Sequence, residues 1–343
     1  MRRSAGEQPT AVPRQMHWSR RGLLAVHAAT SVRALVVQFA ALAMGLISTP
    51  APAAMFSLAP GQTAVGVVDY YLTHDVDTLL DVARHYDLGY TQLIAANRAI
   101  DPWLPGENRK VVIPNFYLLP DVPHQGIVIN LAQQRLFYFP PGGHFVEIFP
   151  IGVGVQGWVT PLGDTRVTEK QVHPSWFPPP SILAEEPGLP KMIPPGPGNP
   201  LGDYALQLGW PSYLIHGTDK PFGVGRNVSH GCIRLYPEDI EKLFREVAVG
   251  TPVRVIAEEV TAAWIGDDLY VSVFPNKSQT DELDIGEPMT PETPPDLTSG
   301  VLKAAGIRTD RIDWNAVAAA GRERSGVPSI VSVPATALGQ VTR

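Results

Sequence analysis

Residues 215–235 read IHGTDKPFGVGRNVSHGCIRL and contain Cys232, the only cysteine in a chain of 343 residues. An apolar run leads into His216, and the cysteine follows it after a glycine-rich spacer, close to Arg234. A lone cysteine is a core residue, an unpaired disulfide partner or a nucleophile. The rest of the chain has to decide among these three.

The composition is that of an acidic, exported globular protein. The chain is 44% hydrophobic with a net charge of −6, which makes it a poor partner for nucleic acid or an anionic membrane surface. Residues 1–53 combine an arginine pair, the apolar stretch 34–47 and small residues at 51–53, which predicts a signal peptide and a bacterial periplasmic location. SRRGLL at 19–24 resembles a twin-arginine export signal, and Sec export is equally compatible. A retained N-terminal membrane anchor is the alternative.

An exported location limits the roles that Cys232 can have. Exported proteins use cysteines in pairs, so a single cysteine is a free thiol in an oxidising compartment. A thiol acts as a nucleophile when it is ionised, and for that it needs a nearby base. Two of the nine histidines are candidates, His216 at the end of an apolar strand and His230 two residues before the cysteine. The spacing favours His216, because a residue that ends a neighbouring strand can meet the thiol across a sheet.

Glycine and arginine complete this constellation. Gly217 and Gly231 follow the two histidines, and glycine allows a close backbone approach to a substrate. The backbone N–H groups around Gly231 and Cys232 are candidates for an oxyanion hole. Arg234 suits a carboxylate or the carbonyls of a peptide. No pair of histidines has the spacing of metal ligands with a third ligand, so the sequence predicts neither a metal nor another cofactor.

Residues 67–116 predict a small α+β unit of strand, helix, helix and strand. Its predicted elements are a strand at Val67–Leu72, a helix that Asp75 or Asp77 can cap, a second helix at Thr91–Ile100 and a strand at Asn108–Pro114. This order, together with AANRAIDPWLPGENRKVVIP at 95–114, resembles a LysM domain. The resemblance implies binding of glycan that contains N-acetylglucosamine, such as peptidoglycan. An unrelated α+β unit is the alternative.

Residues 125–256 change to short strands and turns with one helix. The predicted elements include strands at 127–131, 136–139, 144–155 and 251–258 and a helix at Pro237–Val247. Many strands with one helix predict a mostly β domain, either a β-sandwich or barrel-like, with the helix packed on it. The proline-rich loop at 174–200 predicts a lid or binding loop, in which Trp176 and Asn199 are candidate substrate-binding residues.

Residues 257–343 form a C-terminal extension whose role the sequence leaves undefined. A strand is predicted at 268–274, a linker at about 275–295 and two modest helices within 296–325.

The stretch at 215–235 resembles the signature of the YkuD-type L,D-transpeptidases, with HGT, a spacer and SHGCIR in order. PLGDTRV at 161–167, SWFPPP at 175–180 and PPGPGNPLGDYAL at 194–206 also resemble that family. The resemblance covers about residues 125–256. With a LysM-like unit in front, the chain is similar to the periplasmic branch of Gram-negative enzymes.

This resemblance implies a set of residue roles and a reaction. The implied roles are Cys232 as nucleophile, His216 as general base, Gly217 or a neighbouring group orienting the imidazole, and Ser229, His230, Gly231 and Arg234 shaping the site. The cysteine would attack the carbonyl of the diamino acid in a tetrapeptide stem, release D-alanine and pass the acyl group to an amine. That amine would belong to another stem, giving a 3–3 cross-link, or to a lysine of an outer-membrane lipoprotein.

Two other functions stay open at this stage. With water as acceptor, the same thiol would make an L,D-carboxypeptidase or a hydrolase that releases lipoprotein. With an inactive catalytic domain, the chain would be a peptidoglycan-binding scaffold.

Overall fold

The computed structural model describes residues 54–155 and 158–334, so the predicted signal peptide at 1–53 lies outside the described residues. The strands, numbered in chain order, are β1 (Ala54–Ser57), β2 (Ala64–Gly66), β3 (Asp69–Leu72), β4 (Lys110–Ile113), β5 (Phe116–Leu118), β6 (Gly126–Asn130), β7 (Arg135–Phe139), β8 (Phe145–Pro150), β9 (Val153–Gly154), β10 (Gly163–Val172), β11 (Tyr204–Leu208), β12 (Leu214–His216), β13 (Asn227–Ser229), β14 (Ile233–Arg234), β15 (Pro252–Ile256), β16 (Val260–Ile265), β17 (Asp268–Val273) and β18 (Ser329–Ile330). The α-helices are α1 (Leu79–His85), α2 (Tyr90–Ala96), α3 (Pro180–Glu185), α4 (Pro237–Glu246), α5 (Lys277–Asp284), α6 (Leu297–Ala305) and α7 (Trp314–Glu323). In this described part of the chain, no helix is long and apolar enough to cross a membrane.

A nine-stranded sheet organises the predicted catalytic domain, in the order β1-β8-β7-β6-β15-β10-β11-β12-β14. Its inner strand β6 reads GIVIN, and every residue of it is buried. Side chains alternate between the two faces of a strand, so Ile127 and Ile129 join one hydrophobic core and Val128 joins another. Because both faces are covered, the strand is apolar along its length rather than alternating with polar residues.

The sheet curls at β10, which pairs with β15 along its first half and with β11 along its second. The register shifts between Val167 and Glu169, and a bulge of this kind bends a strand and increases its twist. Helix α4 packs on the curled sheet through Ile240 and Leu243, which lie in the main core. The mostly β class with a packed helix is thereby confirmed for this domain.

The unit at 67–116 has the predicted order of strand, helix, helix and strand, with β3 and β4 paired antiparallel. Its first helix begins later than expected, because Thr78 and not Asp75 or Asp77 is the N-cap. The Thr78 hydroxyl accepts a hydrogen bond from the Asp81 N–H at 3.1 Å. Asp77 is engaged elsewhere, since its carboxylate accepts a hydrogen bond from the Tyr71 hydroxyl at 2.8 Å.

This βααβ unit packs directly on the sheet domain. The Thr91 hydroxyl lies 2.7 Å from the Gly225 carbonyl oxygen and 2.6 Å from Gln134 Oε1. The Tyr236 hydroxyl donates to the Leu88 carbonyl at 3.0 Å. All of these groups are buried, so the βααβ unit shares a buried interface with the sheet domain at Gln134, Gly225 and Tyr236.

The predicted linker at about 275–295 is wrong, because it contains helix α5. The segment KSQTDELD looked like a linker because it is polar, yet a capping box between Asn276 and Gln279 starts the helix. Leu283 then buries itself in the core of the βααβ unit. Elsewhere in the C-terminal extension, β16, β17 and β18 form a small sheet on which α6 and α7 pack.

Candidate active site

Two adjacent strands carry the predicted catalytic pair. Strands β12 and β14 run parallel, with Ile215 opposite Ile233 and His216 opposite Arg234. Both isoleucines are fully buried in the main core, so His216 and Arg234 lie on the other face of the sheet. Cys232 precedes Arg234 by two residues and therefore approaches the same face.

His216 is held as a neutral imidazole. Its Nδ1 lies 2.6 Å from the Gly217 carbonyl oxygen, a group that only accepts, so Nδ1 carries the proton and Nε2 keeps its lone pair. Burial, together with the nearby charge of Arg234, lowers the pKa of His216 to about 3. Backbone hydrogen bonds to Gly217 and Leu201 act in the opposite direction. The side chain is 3% exposed, so solvent does little to favour the charged form.

Cys232 is held as a thiol at neutral pH. Burial raises the pKa of its thiol, while a backbone hydrogen bond from Leu214 and the charge of Arg234 lower it. The Sγ atom donates to the Ser212 carbonyl oxygen at 3.5 Å, which a protonated sulfur can do. The resting pair is therefore a thiol and a neutral imidazole, and the proton must move as the sulfur attacks.

Arg234 brings a cation to both members of the pair, since its charge acts on the pKa of Cys232 and of His216. Its main chain is fixed by two hydrogen bonds with Gly152, at 2.8 and 2.9 Å. The buried Nε atom has no hydrogen-bond partner among the described residues. A buried unpaired donor costs free energy, and a carbonyl or carboxylate that reached it would relieve this cost.

A tight turn at residues 229–232, called the cysteine turn below, fixes the main chain next to the thiol. The Ser229 hydroxyl accepts from the Gly231 N–H at 3.2 Å and donates to the Cys232 carbonyl at 2.6 Å. Gly231 has a φ of +96°, and an added Cβ atom would lie 3.0 Å from the Tyr213 ring, so glycine is required there. Contrary to expectation, the Gly231 N–H is not free as an oxyanion donor, which leaves the Cys232 N–H as the candidate. The Thr160 hydroxyl donates to the Gly231 carbonyl at 2.7 Å from outside the turn.

His230 faces the proline-rich loop. Its Nε2 lies 3.2 Å from Glu185 Oε2 at the end of α3, and its ring contacts Trp158 edge to face with centroids 5.0 Å apart. These contacts give His230 the role of a link between the cysteine turn and the loop. No local sequence pattern points to Glu185, Trp158 or Thr160, because each meets the turn only through the fold.

The two loop candidates hold the loop together. The Asn199 side chain is buried, donates to the Pro174 and Pro194 carbonyls at 2.6 and 3.2 Å, and accepts from the Leu201 N–H at 2.9 Å. The prediction that Asn199 binds substrate is corrected on this ground, because both ends of its amide are already bonded. Trp176 pairs its main chain with Ile193 across the loop and is half-buried, so its role in binding substrate stays a prediction.

The arrangement has the parts that acyl transfer by a thiol needs, namely a thiol, a neutral imidazole and a guanidinium whose Nε is unpaired, on one face. Within residues 54–155 and 158–334, no group of three or more His, Cys, Asp or Glu side chains is arranged to hold a metal ion.

Comparison with known proteins agrees with this class of site. Residues 124–255 match the YkuD family model, described as the L,D-transpeptidase catalytic domain. The chain is 40% identical over 253 residues to the probable L,D-transpeptidase YbiS of Escherichia coli (strain K12), covering 72% of this chain and 80% of that one. It is 40% identical over 227 residues to the probable L,D-transpeptidase YcfS of the same strain, covering 63% and 70%. A solved L,D-transpeptidase from Mycobacterium smegmatis is similar at 20% identity and a TM-score of 0.32, covering 44% of this chain and 64% of that chain.

The chain therefore belongs to the L,D-transpeptidase family and is an enzyme of that class. The resemblance drawn from the stretch at 215–235 is confirmed, and the matched residues agree closely with the predicted domain at 125–256.

Proposed function

We propose that this enzyme carries out a two-step acyl transfer on peptidoglycan stem peptides, with Cys232 as nucleophile and His216 as general base. In the first step, the thiol proton moves to His216 Nε2 while Sγ attacks the carbonyl carbon of the diamino acid in a tetrapeptide stem. The tetrahedral intermediate then collapses to a thioester. D-Alanine leaves as an amine that takes the proton from His216.

In the second step, an acceptor amine attacks the thioester carbonyl and loses a proton to His216. The sulfur leaves, takes that proton back from the imidazole, and a new amide remains. We propose two acceptors, the diamino acid of a second stem, which gives a 3–3 cross-link, and a lysine of an outer-membrane lipoprotein.

One observation carries this proposal: the parallel register that sets His216 opposite Arg234, beside the segment that carries Cys232. The hydrogen bond from Nδ1 to Gly217 leaves Nε2 as the acceptor. The low pKa of the resting imidazole does not prevent this role, because a thiolate forming beside it favours the charged imidazolium. A neutral resting pair also keeps the sulfur protonated until a substrate carbonyl is in place.

The groups that would receive the substrate follow from the same geometry. The Cys232 N–H is the proposed donor to the developing oxyanion, and the unpaired Nε of Arg234 is proposed to bind a carbonyl or carboxylate of the stem. His230 and Glu185 would place the proline-rich loop along the bound peptide, since they join that loop to the cysteine turn.

The βααβ unit at 67–116 is proposed to be a LysM-like module that holds the glycan strand, and residues 1–53 to direct export to the periplasm. The order of its elements supports the first proposal. Its direct packing on the catalytic domain, through Thr91 and Gly225, would hold a bound glycan at a fixed distance from the thiol.

The test is to incubate the protein with tetrapeptide muropeptides, alone and with a lysine-ended acceptor peptide, and to analyse the products by mass spectrometry. Cys232→Ala and His216→Gln are the matched variants. Cross-linked dimers or acceptor conjugates from the unmodified protein alone support the proposal. If tripeptides are the sole product with both acceptors present, the enzyme is a hydrolase rather than a transferase. Products that do not depend on Cys232 would overturn the proposed mechanism.

A further inference from the structure

Helix α5 of the C-terminal extension contacts β13, the strand that leads to the cysteine turn, and β9, the strand paired with it. The Asn227 Nδ2 atom, at the start of β13, donates to Asp281 Oδ1 at 2.6 Å. Lys277 Nζ donates to the Gly154 carbonyl oxygen in β9, the strand that pairs with β13. The helix thus holds the two-stranded sheet of β9 and β13.

The contact at Asn227 is the best defined of these. Its amide is held at both ends, because Gln134 Nε2 donates to Asn227 Oδ1 at 3.2 Å while Nδ2 donates to Asp281. Next to it, Arg226 Nε lies 3.0 Å from Asp284 Oδ1 on the same helix. These side chains are partly buried, so the bonds are shielded from exchange with water.

The held strand leads directly to the thiol. Two residues after Asn227, Ser229 makes the pair of hydrogen bonds that fix Gly231 and Cys232. A displacement of β13 would therefore move the serine and the turn that it closes. Catalysis is sensitive to such movement, because a shift of about 1 Å can cost about a hundredfold in rate.

We infer that Asp281 is a positioning residue for Cys232, acting through Asn227 and Ser229, so that the C-terminal extension completes the active site. This inference rests on the proposed role of Cys232 as nucleophile. It assigns a function to residues 277–284, which the polar sequence suggested to be a linker.

The test uses the full chain and measures D-alanine release from a tetrapeptide muropeptide as kcat and KM. Asp281→Ala removes the carboxylate acceptor for Asn227 Nδ2 and leaves only its longer bond to the Lys277 carbonyl oxygen, at 3.3 Å. We expect kcat to fall between about tenfold and about a hundredfold with KM changed by less than about twofold. Asp281→Asn keeps a side-chain oxygen that accepts the same bond, so most of the rate should return. The control is Lys303→Ala, at another position of the C-terminal extension. It breaks an exposed ion pair with Asp121 and should match the unmodified protein.

A cycle with Asn227→Ala separates positioning from a loss of folding. If the two residues act through their mutual bond, the double variant is no slower than Asn227→Ala alone, while equilibrium unfolding shows each variant folded under assay conditions. Should Asp281→Ala fail to fold, Asp281→Asn and Asn227→Ala still decide the matter, since only the second should lose rate.

Several results would overturn the inference: an unchanged kcat in Asp281→Ala, equal losses in the alanine and asparagine variants, or a change in KM alone. Failure of the proposed function looks different. In that case the unmodified protein and Cys232→Ala release D-alanine at the same rate.

Discussion

Asp87 and Asp239 form a buried carboxyl pair where the βααβ unit meets helix α4. They are 7% and 1% exposed, and among the described residues no donor bonds to any of their four carboxyl oxygens, so burial disfavours the charged form of both. Burial raises the pKa of Asp87 from 3.8 to about 7 and raises that of Asp239 well above its usual range. The ion pair of Arg84 with Glu238 lies beside them and offsets only part of this cost.

We predict that Asp87→Asn stabilises the protein at neutral and alkaline pH. In the unfolded chain Asp87 loses its proton near pH 4, whereas in the folded protein it keeps it up to about pH 7. The free energy of unfolding therefore falls as the pH rises through this window, by up to about 4 kcal/mol for this residue. Asparagine is neutral throughout and tolerates the φ of +53° at this position.

The assay is chemical denaturation at pH 4, 6 and 8 of the unmodified protein and Asp87→Asn. The variant should match the unmodified protein near pH 4 and exceed it in stability at pH 8 by up to about 4 kcal/mol. Asp75→Asn, an exposed position in the same unit, is the control and should show no difference at any pH. A variant that is less stable at pH 8, or that keeps the same dependence on pH, would refute this reasoning.

Three further predictions concern the interface and the turn. Gly225→Ala should lower the free energy of unfolding by about 2 kcal/mol or more, because its φ is +75° and the new Cβ atom would lie 2.2 Å from Gly89 Cα; equal stability in urea would contradict this. The rate at which iodoacetamide alkylates Cys232 should rise with pH only above the range usual for a free thiol. Arg234→Gln should move this rise to higher pH, and a rise at lower pH in the variant would contradict the prediction. Ser229→Ala removes both bonds of the turn, so kcat should fall by about tenfold or more, and unchanged turnover would exclude its role.

The sequence was sufficient for the parts of the fold and site that rest on local patterns. The mostly apolar strands β6 and β7 and the amphipathic helix α4 are each predictable from a pattern of ten residues or fewer. His216 and Cys232 lie on one short segment whose glycines and flanking residues already suggested a thiol site.

The parts that rest on contacts between distant segments were not predictable. The predicted substrate-binding role of Asn199 is wrong because the sequence around a loop asparagine does not show whether its amide binds a substrate or the carbonyls of its own loop. Helix α5 was missed because a single buried leucine and a capping box hold its polar sequence in place. Thr160 contacts the cysteine turn and Asp281 contacts the strand before it, both from distant parts of the chain, and spacing along the sequence does not reveal such contacts.

The most direct test of the central claim is the mass of the covalent intermediate. The protein is mixed with a tetrapeptide muropeptide, quenched in acid within the first turnover and digested for peptide mapping by mass spectrometry. The account predicts an adduct on Cys232 with the mass of the stem lacking its terminal D-alanine, and none in Cys232→Ala. Release of D-alanine at an unchanged rate by Cys232→Ala, or turnover with no adduct on the cysteine under any quench time, would contradict it.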